Sequence, residues 1–312
     1  MARSDMWAFI VNPIAGNGYG ASCVDTVRNM MKAHGAEGEV ALTRAKGHAT
    51  ELAASFAEKG YTRIVAVGGD GTAAETASAL VGRTGVLFGI VGAGTGNDFI
   101  SMFGFPDRFT EPDWKALFEC SPARMDVGRC NGKYFFNGMG LGFDAKVAYE
   151  NFKMNNGGGV KEGGKSKYTW QILKTIFTYQ PMPMRFTLDG VMEERKCFLN
   201  TISNGRRIAA GLYLTPKAIA DDGLLDICLM DPISIPMRFK ELVSVKKGTH
   251  LNDKPVHYHQ AKRITAEFDH EVPAHLDGEL TFASRFDIDI LPKALPVIIK
   301  ARGDHYFRRP AP

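Results

Sequence analysis

Residues 63–76 read RIVAVGGDGTAAET, and their types and spacing can do chemistry. Arg63 to Val67 is apolar and β-branched, as expected of a strand buried in a parallel sheet. Gly68, Gly69 and Gly71 let the main chain approach a ligand closely, because no Cβ stands in the way. Thr72 falls where a helix N-cap is expected, so the N–H groups of that helix start would face whatever lies over the turn. Such a turn attracts phosphate. Asp70 within it repels phosphate unless a cation sits between them. Glycines for a polyphosphate and one carboxylate for a metal point to nucleotide phosphoryl chemistry. The alternative is an ordinary strand-to-helix turn in which Asp70 is a capping aspartate.

The surrounding elements must hold that turn. Trp7–Val11, Glu39–Thr43, Arg63–Val67 and Val86–Val91 read as strands, and Cys23–His34, His48–Lys59 and Thr72–Val81 as helices between them. This alternation predicts a parallel, doubly wound sheet with helices on both faces and a ligand site at the carboxyl ends of its strands. Three turns fall at such ends: Asn12-Pro13-Ile14-Ala15-Gly16, Gly68–Thr72, and Gly92-Ala93-Gly94-Thr95-Gly96-Asn97-Asp98. One glycine turn is weak evidence, but three that converge on one crevice are strong.

After Pro122 the pattern changes. Met125 to Asn137 reads as a hairpin about Asn131-Gly132. Strand-like runs follow at Met184–Leu188, Lys196–Ser203, Leu224–Met230, Arg263–Phe268 and Phe286–Ile290, with helical stretches near Ala145–Lys153, Tyr168–Tyr179 and Met237–Val245. The expected fold class is α/β, with a Rossmann-like nucleotide-binding domain over residues 1–125 and a mostly antiparallel, β-sandwich-like domain over 126–295. Pro296–Lys300 is a strand that could return to the first domain, so that 296–312 would complete it.

Composition narrows the classes. The 312 residues are 45% hydrophobic and 23% charged, which describes a globular chain with ample core. A formal charge of +4 does not demand nucleic acid, and no nucleic-acid-binding motif is present. Cys23, Cys120, Cys130, Cys197 and Cys228 follow no metal-binding spacing and read as buried thiols in a reducing compartment. His257 and His259 alternate on an expected strand and read as surface or hydrogen-bonded residues rather than a metal pair. The apolar run before Asn12 is too short for a signal-peptide core, and nothing approaches the ~18 apolar residues of a membrane span. A cytoplasmic protein is expected, meeting lipid from the membrane surface if at all.

NPIAG, GGDGTAAE, GTGNDF, DVGRCNGKYFFN, GFDA, PKAIADDGLLD and LDGEL occur here in order between Asn12 and Glu279. In that order they resemble the diacylglycerol-kinase catalytic-domain superfamily, and the intact GGDGT and GTGND look most like its bacterial lipid kinases. The resemblance implies an α/β nucleotide domain and a sandwich-like second domain, with ATP bound between them as co-substrate. It implies nucleotide contacts from Asn12, Pro13, Ile14, Ala15, Gly16, Thr43, Gly68, Gly69, Asp70, Gly71, Thr72, Ala73, Ala74 and Thr95. Glu279 matches the general base, which takes the proton of the acceptor hydroxyl; by itself Asp277-Gly278-Glu279 is an ordinary hairpin tip. Asp126 matches an aspartate that joins Asp70 and the catalytic Mg²⁺ in a water-mediated network, the alternative being a solvated strand-end aspartate. A second, structural magnesium site is implied at positions 219, 222 and 224. Asp222 and the Leu224 carbonyl suit it, but Ile219 is not acidic, which weakens the site; Asp221 is a candidate substitute.

Gly159 to Ser166 satisfies the Walker A string, but polar residues and not a buried strand precede it, so it fails the context test. From Lys146 to Lys174 six lysines stand against Glu150 and Glu162, beside the glycine-rich Asn155–Gly164 and Tyr168-Thr169-Trp170. That stretch suits either an anionic membrane face or a solvated loop. The expected function is an ATP- and Mg²⁺-dependent lipid kinase acting at a membrane surface, most simply on diacylglycerol to give phosphatidic acid. The rivals are an NAD kinase-like enzyme, against which GTGND and DDGLLD argue, and a catalytically silent lipid-binding regulator, for which Ile219 argues. An edge strand in the second domain would permit a homodimer.

Overall fold

The computed structural model describes residues 5–154, 164–209 and 211–308. The chain divides into two compact units. The first comprises Met1–Val127, Ile219–Gly223 and Leu291–Pro312, the second Gly128–Ala218 and Leu224–Ile290. The Walker-like string lies outside the described residues up to Gly163, as does the glycine-rich segment 155–163.

The first unit alternates β1 (Met6–Val11), α1 (Tyr19–Ala33), β2 (Glu37–Leu42), α2 (His48–Glu58), β3 (Arg63–Gly68), α3 (Asp70–Ser78) and β4 (Leu87–Gly92). Two further helices follow, α4 (Asp98–Ser101) and α5 (Glu111–Glu119), and then β5 (Ser121–Cys130). The strands pair in parallel in the order β2-β1-β3-β4. The chain steps from β1 to one side and returns to the other, so right-handed crossovers set α1 on one face and α2 and α3 on the opposite one. That reversal creates a crevice at the carboxyl ends of β1 and β3. Ala8, Phe9, Ile10, Ile64, Val65, Ala66 and Val67 are fully buried, which accounts for their continuous apolar run. Val297 pairs in parallel with Phe88, so a late segment of the chain adds a strand beside β4.

The second unit contains β6 (Lys133–Phe135), β7 (Gly138–Gly142), α6 (Phe143–Met154), α7 (Gly164–Thr178), β8 (Pro183–Leu188), β9 (Val191–Lys196), β10 (Leu199–Ser203), β11 (Leu225–Met230), α8 (Ile235–Lys247), β12 (Val256–Ala261) and β13 (Arg263–Leu276). The last strand is β14 (Glu279–Ile299), whose residues from Leu291 onward belong to the first unit. The hairpin about Asn131-Gly132 forms as expected, with both turn residues at positive φ, 46° and 82°, as its right-handed twist requires. The antiparallel order is β12-β11-β10-β7-β13-β14. A register shift between Glu267 and Val272 lets β13 pair with β8 through one half and β7 through the other. One strand thereby serves both layers of a sandwich. Phe135, Met139, Leu141, Ile202, Ile227, Ile264 and Phe286 fill the core between those layers. The opposite face of β7, β10 and β11 carries Leu199 and Met230 against Tyr179 and Val245 of the helical side.

Several element boundaries differ from expectation. The run Lys196–Ser203 is two elements, because β9 pairs with β8 while β10 lies between β7 and β11; the chain changes partners at the buried Cys197 and Phe198. β13 and β14 are far longer than the runs Arg263–Phe268 and Phe286–Ile290, and Pro296–Lys300 falls largely in the last part of β14. His257 bonds to Asp231 Oδ2 at 2.8 Å, which supplies the expected partner.

Candidate functional site

Three turns meet in the first unit, and glycine permits each approach. A Cβ on Gly94 would stand 2.4 Å from the Gly69 Cα, and one on Gly16 would stand 2.2 Å from the Ala93 carbonyl oxygen. The Asn12 Nδ2–H donates to Thr72 Oγ1 at 2.9 Å, which ties the first turn to the second. Asn12 Oδ1 accepts the Ile14 N–H at 3.2 Å, and its own N–H reaches the Val67 carbonyl. Pro13 is half-buried, Ile14 exposed and Ala15 buried. Thr43, at the end of β2, donates its N–H to the Val11 carbonyl at 2.9 Å and so extends the same row of strand ends.

Thr72 is not the N-cap. Helix α3 starts at Asp70 with the extended Gly69 as its cap residue, and no side chain caps it. Thr72 lies one turn inside, its side chain over Gly68, where a Cβ would come within 2.7 Å of it. It is held there by Asn12, not by the N–H groups of its own helix. The start of α3 thus carries no side-chain cap. Gly71 is exposed, and a Cβ added to it would meet nothing within 4 Å. Ala73 and Ala74 follow on α3, buried and half-buried.

Asp70 joins the second turn to the third. Its Oδ1 accepts the Phe99 N–H at 3.0 Å and its Oδ2 the Asp98 N–H at 3.2 Å, so its carboxylate caps α4. Asn97 takes φ +56° and closes the third turn by exchanging hydrogen bonds with Gly94. Thr95 is exposed beside it.

Sequence reasoning missed Arg108. Its guanidinium donates to the Gly92 and Gly94 carbonyls at 3.3 Å each and stacks on the Tyr19 ring at 4.2 Å. It brings a fixed cation to the third turn from a loop with no motif of its own; the Tyr19 partner lies 89 positions away in sequence, so no local signal marks the pair.

Asp126 is fully buried, which corrects the solvated strand-end alternative. Its Oδ2 accepts the Gly223 N–H and its Oδ1 the Lys293 N–H, both at 2.6 Å, while its own N–H reaches the Ala220 carbonyl. Burial pushes its carboxyl above the usual range; the two N–H bonds oppose that, and the charges of Asp222 and Asp221 add to it. Asp126 thus anchors segment 219–223. Asp221 Oδ1 accepts the Arg308 N–H at 2.9 Å, so one of its oxygens is engaged in holding the C-terminal segment. Ile219 is apolar and half-buried, and Leu224 opens the approach to β11. Among the described residues no three His, Cys, Asp or Glu side chains form a ready metal cage. The concentration of negative charge at Asp126, Asp221 and Asp222 nonetheless suits a hard cation that keeps most of its waters.

Glu279 is exposed at the start of β14, in the second unit. Its hairpin tip is built by Asp277 and Gly278 at φ 47° and 86°. The Asp277 carboxylate accepts the N–H groups of Phe136, Asn137 and Gly138 at 2.6, 3.0 and 2.9 Å, which pins the tip to the β6–β7 link. In GFDA, Asp144 accepts the Thr201 hydroxyl at 3.2 Å and lies 3.5 Å from His275, beneath the start of α6.

A parallel sheet with its glycine turns gathered at the switch point, followed by an antiparallel sandwich, is the plan shared with kinases of the diacylglycerol-kinase type. Residues 6–130 match the diacylglycerol kinase catalytic domain, and residues 137–299 match the YegS C-terminal NAD kinase beta sandwich-like domain. The chain belongs to this family of YegS-like and diacylglycerol kinase-like lipid kinases. It is 30% identical over 262 residues to a probable YegS-like lipid kinase of Chromohalobacter salexigens, covering 82% of each chain. A diacylglycerol kinase of Mycobacterium tuberculosis is 27% identical over 301 residues, covering 94% of this chain and 95% of the relative. The crystal structure of a candidate diacylglycerol kinase from Bacillus anthracis superposes with a TM-score of 0.79 at 26% identity, covering 95% of each chain. No helix among the described residues is long and apolar enough to cross a membrane.

Proposed function

We propose that this protein transfers the γ-phosphoryl group of ATP to the free hydroxyl of diacylglycerol, giving phosphatidic acid in a Mg²⁺-dependent reaction. One observation carries the reading. Three turns meet at the carboxyl ends of the strands, with the uncapped start of α3 and the bare Gly71 facing open space. The turn amides and the Thr95 hydroxyl hold the phosphates without a Walker lysine. Bound Mg²⁺ supplies charge neutralisation on the transferred group. Asp70, whose carboxylate accepts the Asp98 and Phe99 N–H groups, would help hold that ion through water. Glu279 accepts the proton of the lipid hydroxyl as its oxygen bonds to the γ-phosphorus, and ADP departs with the electrons of the broken bond. Asp277 supports this reading by holding the hairpin tip that carries Glu279. Asp222 and the Leu224 carbonyl would hold a second, structural Mg²⁺ only weakly, since position 219 is Ile219.

The test is ATP consumption and product identification with diacylglycerol, a monoacylglycerol, a sphingoid base, NAD and no acceptor, each with and without Mg²⁺. Phosphatidic acid formed only with Mg²⁺ is the expected result. Phosphorylation of NAD or the sphingoid base in preference to diacylglycerol overturns the acceptor, and no turnover with any acceptor overturns the enzyme.

A further inference from the structure

Helices α7 and α8 bury polar side chains beside their apolar core contacts Ile176 and Val245, and expose large apolar ones. In the described part of α7 the buried positions include Gln171 and Thr175, each 1% exposed, while Trp170 and Phe177 are 64% and 56% exposed. Gln171 makes no side-chain hydrogen bond at either amide atom, so the helix forgoes polar contacts to show aromatic ones. Helix α8 does the same. It buries Arg238 and Glu241 and exposes Ile235 and Val243, at 39% and 56%. Arg238 donates to the Ile176 and Tyr179 carbonyls, and this buried tie locks α8 against the end of α7. Ile235, Phe239 and Val243 recur every four residues and therefore share one side of α8. Phe239 meets Phe177 with ring centroids 5.6 Å apart, which joins the two outward stripes into one apolar ridge.

The exposed charged side chains on the two helices themselves have one sign. The exposed charged side chains of α8 are Lys240, Lys246 and Lys247, and that of the described part of α7 is Lys174. Lys240 bonds to Asp253 and Lys174 lies near the Glu150 carboxylate, so Lys246 and Lys247 carry most of the outward positive charge. Two copies meeting through this face would bring like charges together at the edge of an apolar contact. A sheet of anionic headgroups over acyl chains matches both features.

We propose that the ridge of Trp170, Phe177, Ile235, Phe239 and Val243 seats the protein on an anionic phospholipid bilayer, its apolar side chains at the headgroup–acyl boundary and its lysines among the phosphates. The inference rests on the lipid-acceptor reading of the function, since it supplies the surface from which such an acceptor is drawn.

The test uses the full chain, without ATP, and vesicles of phosphatidylcholine with or without phosphatidylglycerol. Trp7 and Trp114 are each 5% exposed, so a vesicle-induced change in tryptophan emission reports Trp170. The expected results are a blue shift and co-sedimentation with phosphatidylglycerol vesicles, both weakened by salt. A Phe177→Ser/Val243→Ser variant should lose about tenfold or more in vesicle partitioning, since two apolar side chains leave the boundary. Its melting temperature should hold, because both side chains are exposed. Lys246→Glu/Lys247→Glu should lose binding only to the anionic vesicles. Equal binding by wild type and the Ser variant, unshifted Trp170 emission, or equal affinity for pure phosphatidylcholine overturns the proposal. So does a dimer in sedimentation velocity that the Ser variant dissociates, because the ridge is then a contact between copies. Phosphorylation of dispersed short-chain diacylglycerol by the Ser variant at the wild-type rate separates lost docking from lost catalysis. Absence of that activity in the wild type would count against the kinase reading alone.

Discussion

The carboxylate of Asp70 caps the helix that begins at Asp98, with Oδ2 accepting the Asp98 N–H at 3.2 Å and Oδ1 the Phe99 N–H at 3.0 Å. The capping and metal-positioning readings of Asp70 are therefore compatible, although the helix it caps is α4 and not its own. Asp70→Asn keeps the size of the side chain but has one acceptor oxygen, so one cap bond is lost at a cost of about 1 kcal/mol. Turnover should fall by at least ~10²-fold, more than that cost can explain, because stabilising charge on the transferred group is worth several kcal/mol. Melting temperature and kcat measured on one preparation separate the roles. A small thermal shift with near-wild-type kcat would leave Asp70 as a cap alone.

Gly71 and Gly94 should fail differently. Gly71 lies at ordinary negative φ over open space, so Gly71→Val folds normally yet fills the volume assigned to the phosphates. ATP affinity, read by calorimetry, should vanish while the melting temperature holds. Gly94→Ala would drive a methyl group against the Gly69 Cα, 2.4 Å away, and should cost about 1–3 kcal/mol of stability or more. Undiminished ATP binding by Gly71→Val would place the nucleotide elsewhere.

Glu279 stands at the exposed tip that Asp277 pins, so Glu279→Gln should not disturb the fold. Base catalysis contributes ~10²–10⁴-fold, and kcat should fall by about the lower part of that range, since phosphoryl-transfer transition states are loose. ATP affinity should stay unchanged. Retained turnover would return Glu279 to the role of a hairpin residue, and lost ATP binding would make it a nucleotide contact.

With Ile219 in place of an acid and Asp221 Oδ1 engaged by Arg308, Mg²⁺ near Asp222 should bind weakly. Added Mg²⁺ should raise the melting temperature only at roughly millimolar concentration, by mass action on the folded state. Asp222→Ala should abolish that rise. The same rise in the variant would locate the stabilising ion at another site.

Glu241 makes stability depend on pH. Burial holds its carboxyl above the usual range, the Asp253 charge adds to this, and Lys240 at 3.6 Å opposes it. Below the ordinary glutamate value both folded and unfolded chains hold the proton. Between that value and the raised one only the folded chain does, so this contribution is lost as pH rises through the folded pKa. Glu241→Gln should therefore gain stability relative to wild type as pH rises from 4 to 8. Denaturant midpoints that run parallel in the two proteins would show that the buried carboxyl is not the source.

Local conformational rules were legible in the residues themselves. A β-branched run, glycines at the strand ends and Asn131-Gly132 each restrict their own backbone dihedral angles, so the parallel strands, the turns and the hairpin could be read without knowing their neighbours. The ordered motifs pointed to the kind of enzyme through their resemblance to a known family. What those turns face depends on residues distant in the chain. That Thr72 bonds Asn12 rather than its own helix, and that Asp70 caps the helix starting at Asp98, are pairings 60 and 28 residues apart. The clamp of Arg108 on the Gly92 and Gly94 carbonyls, the pinning of residues 136–138 by Asp277 and the partner change between β9 and β10 are likewise tertiary. Hydrogen bonds between strands leave no periodic mark when the chain changes partners mid-run, and β13 turns from one layer to the other at a bulge with no glycine or proline in it to announce it. The outward aromatics of α7 and α8 were hidden for the same reason. Hydrophobic spacing tells which residues share a side of a helix, but only tertiary packing, such as that of Val245 in one cluster with Tyr179 and Phe198, decides which side faces the protein.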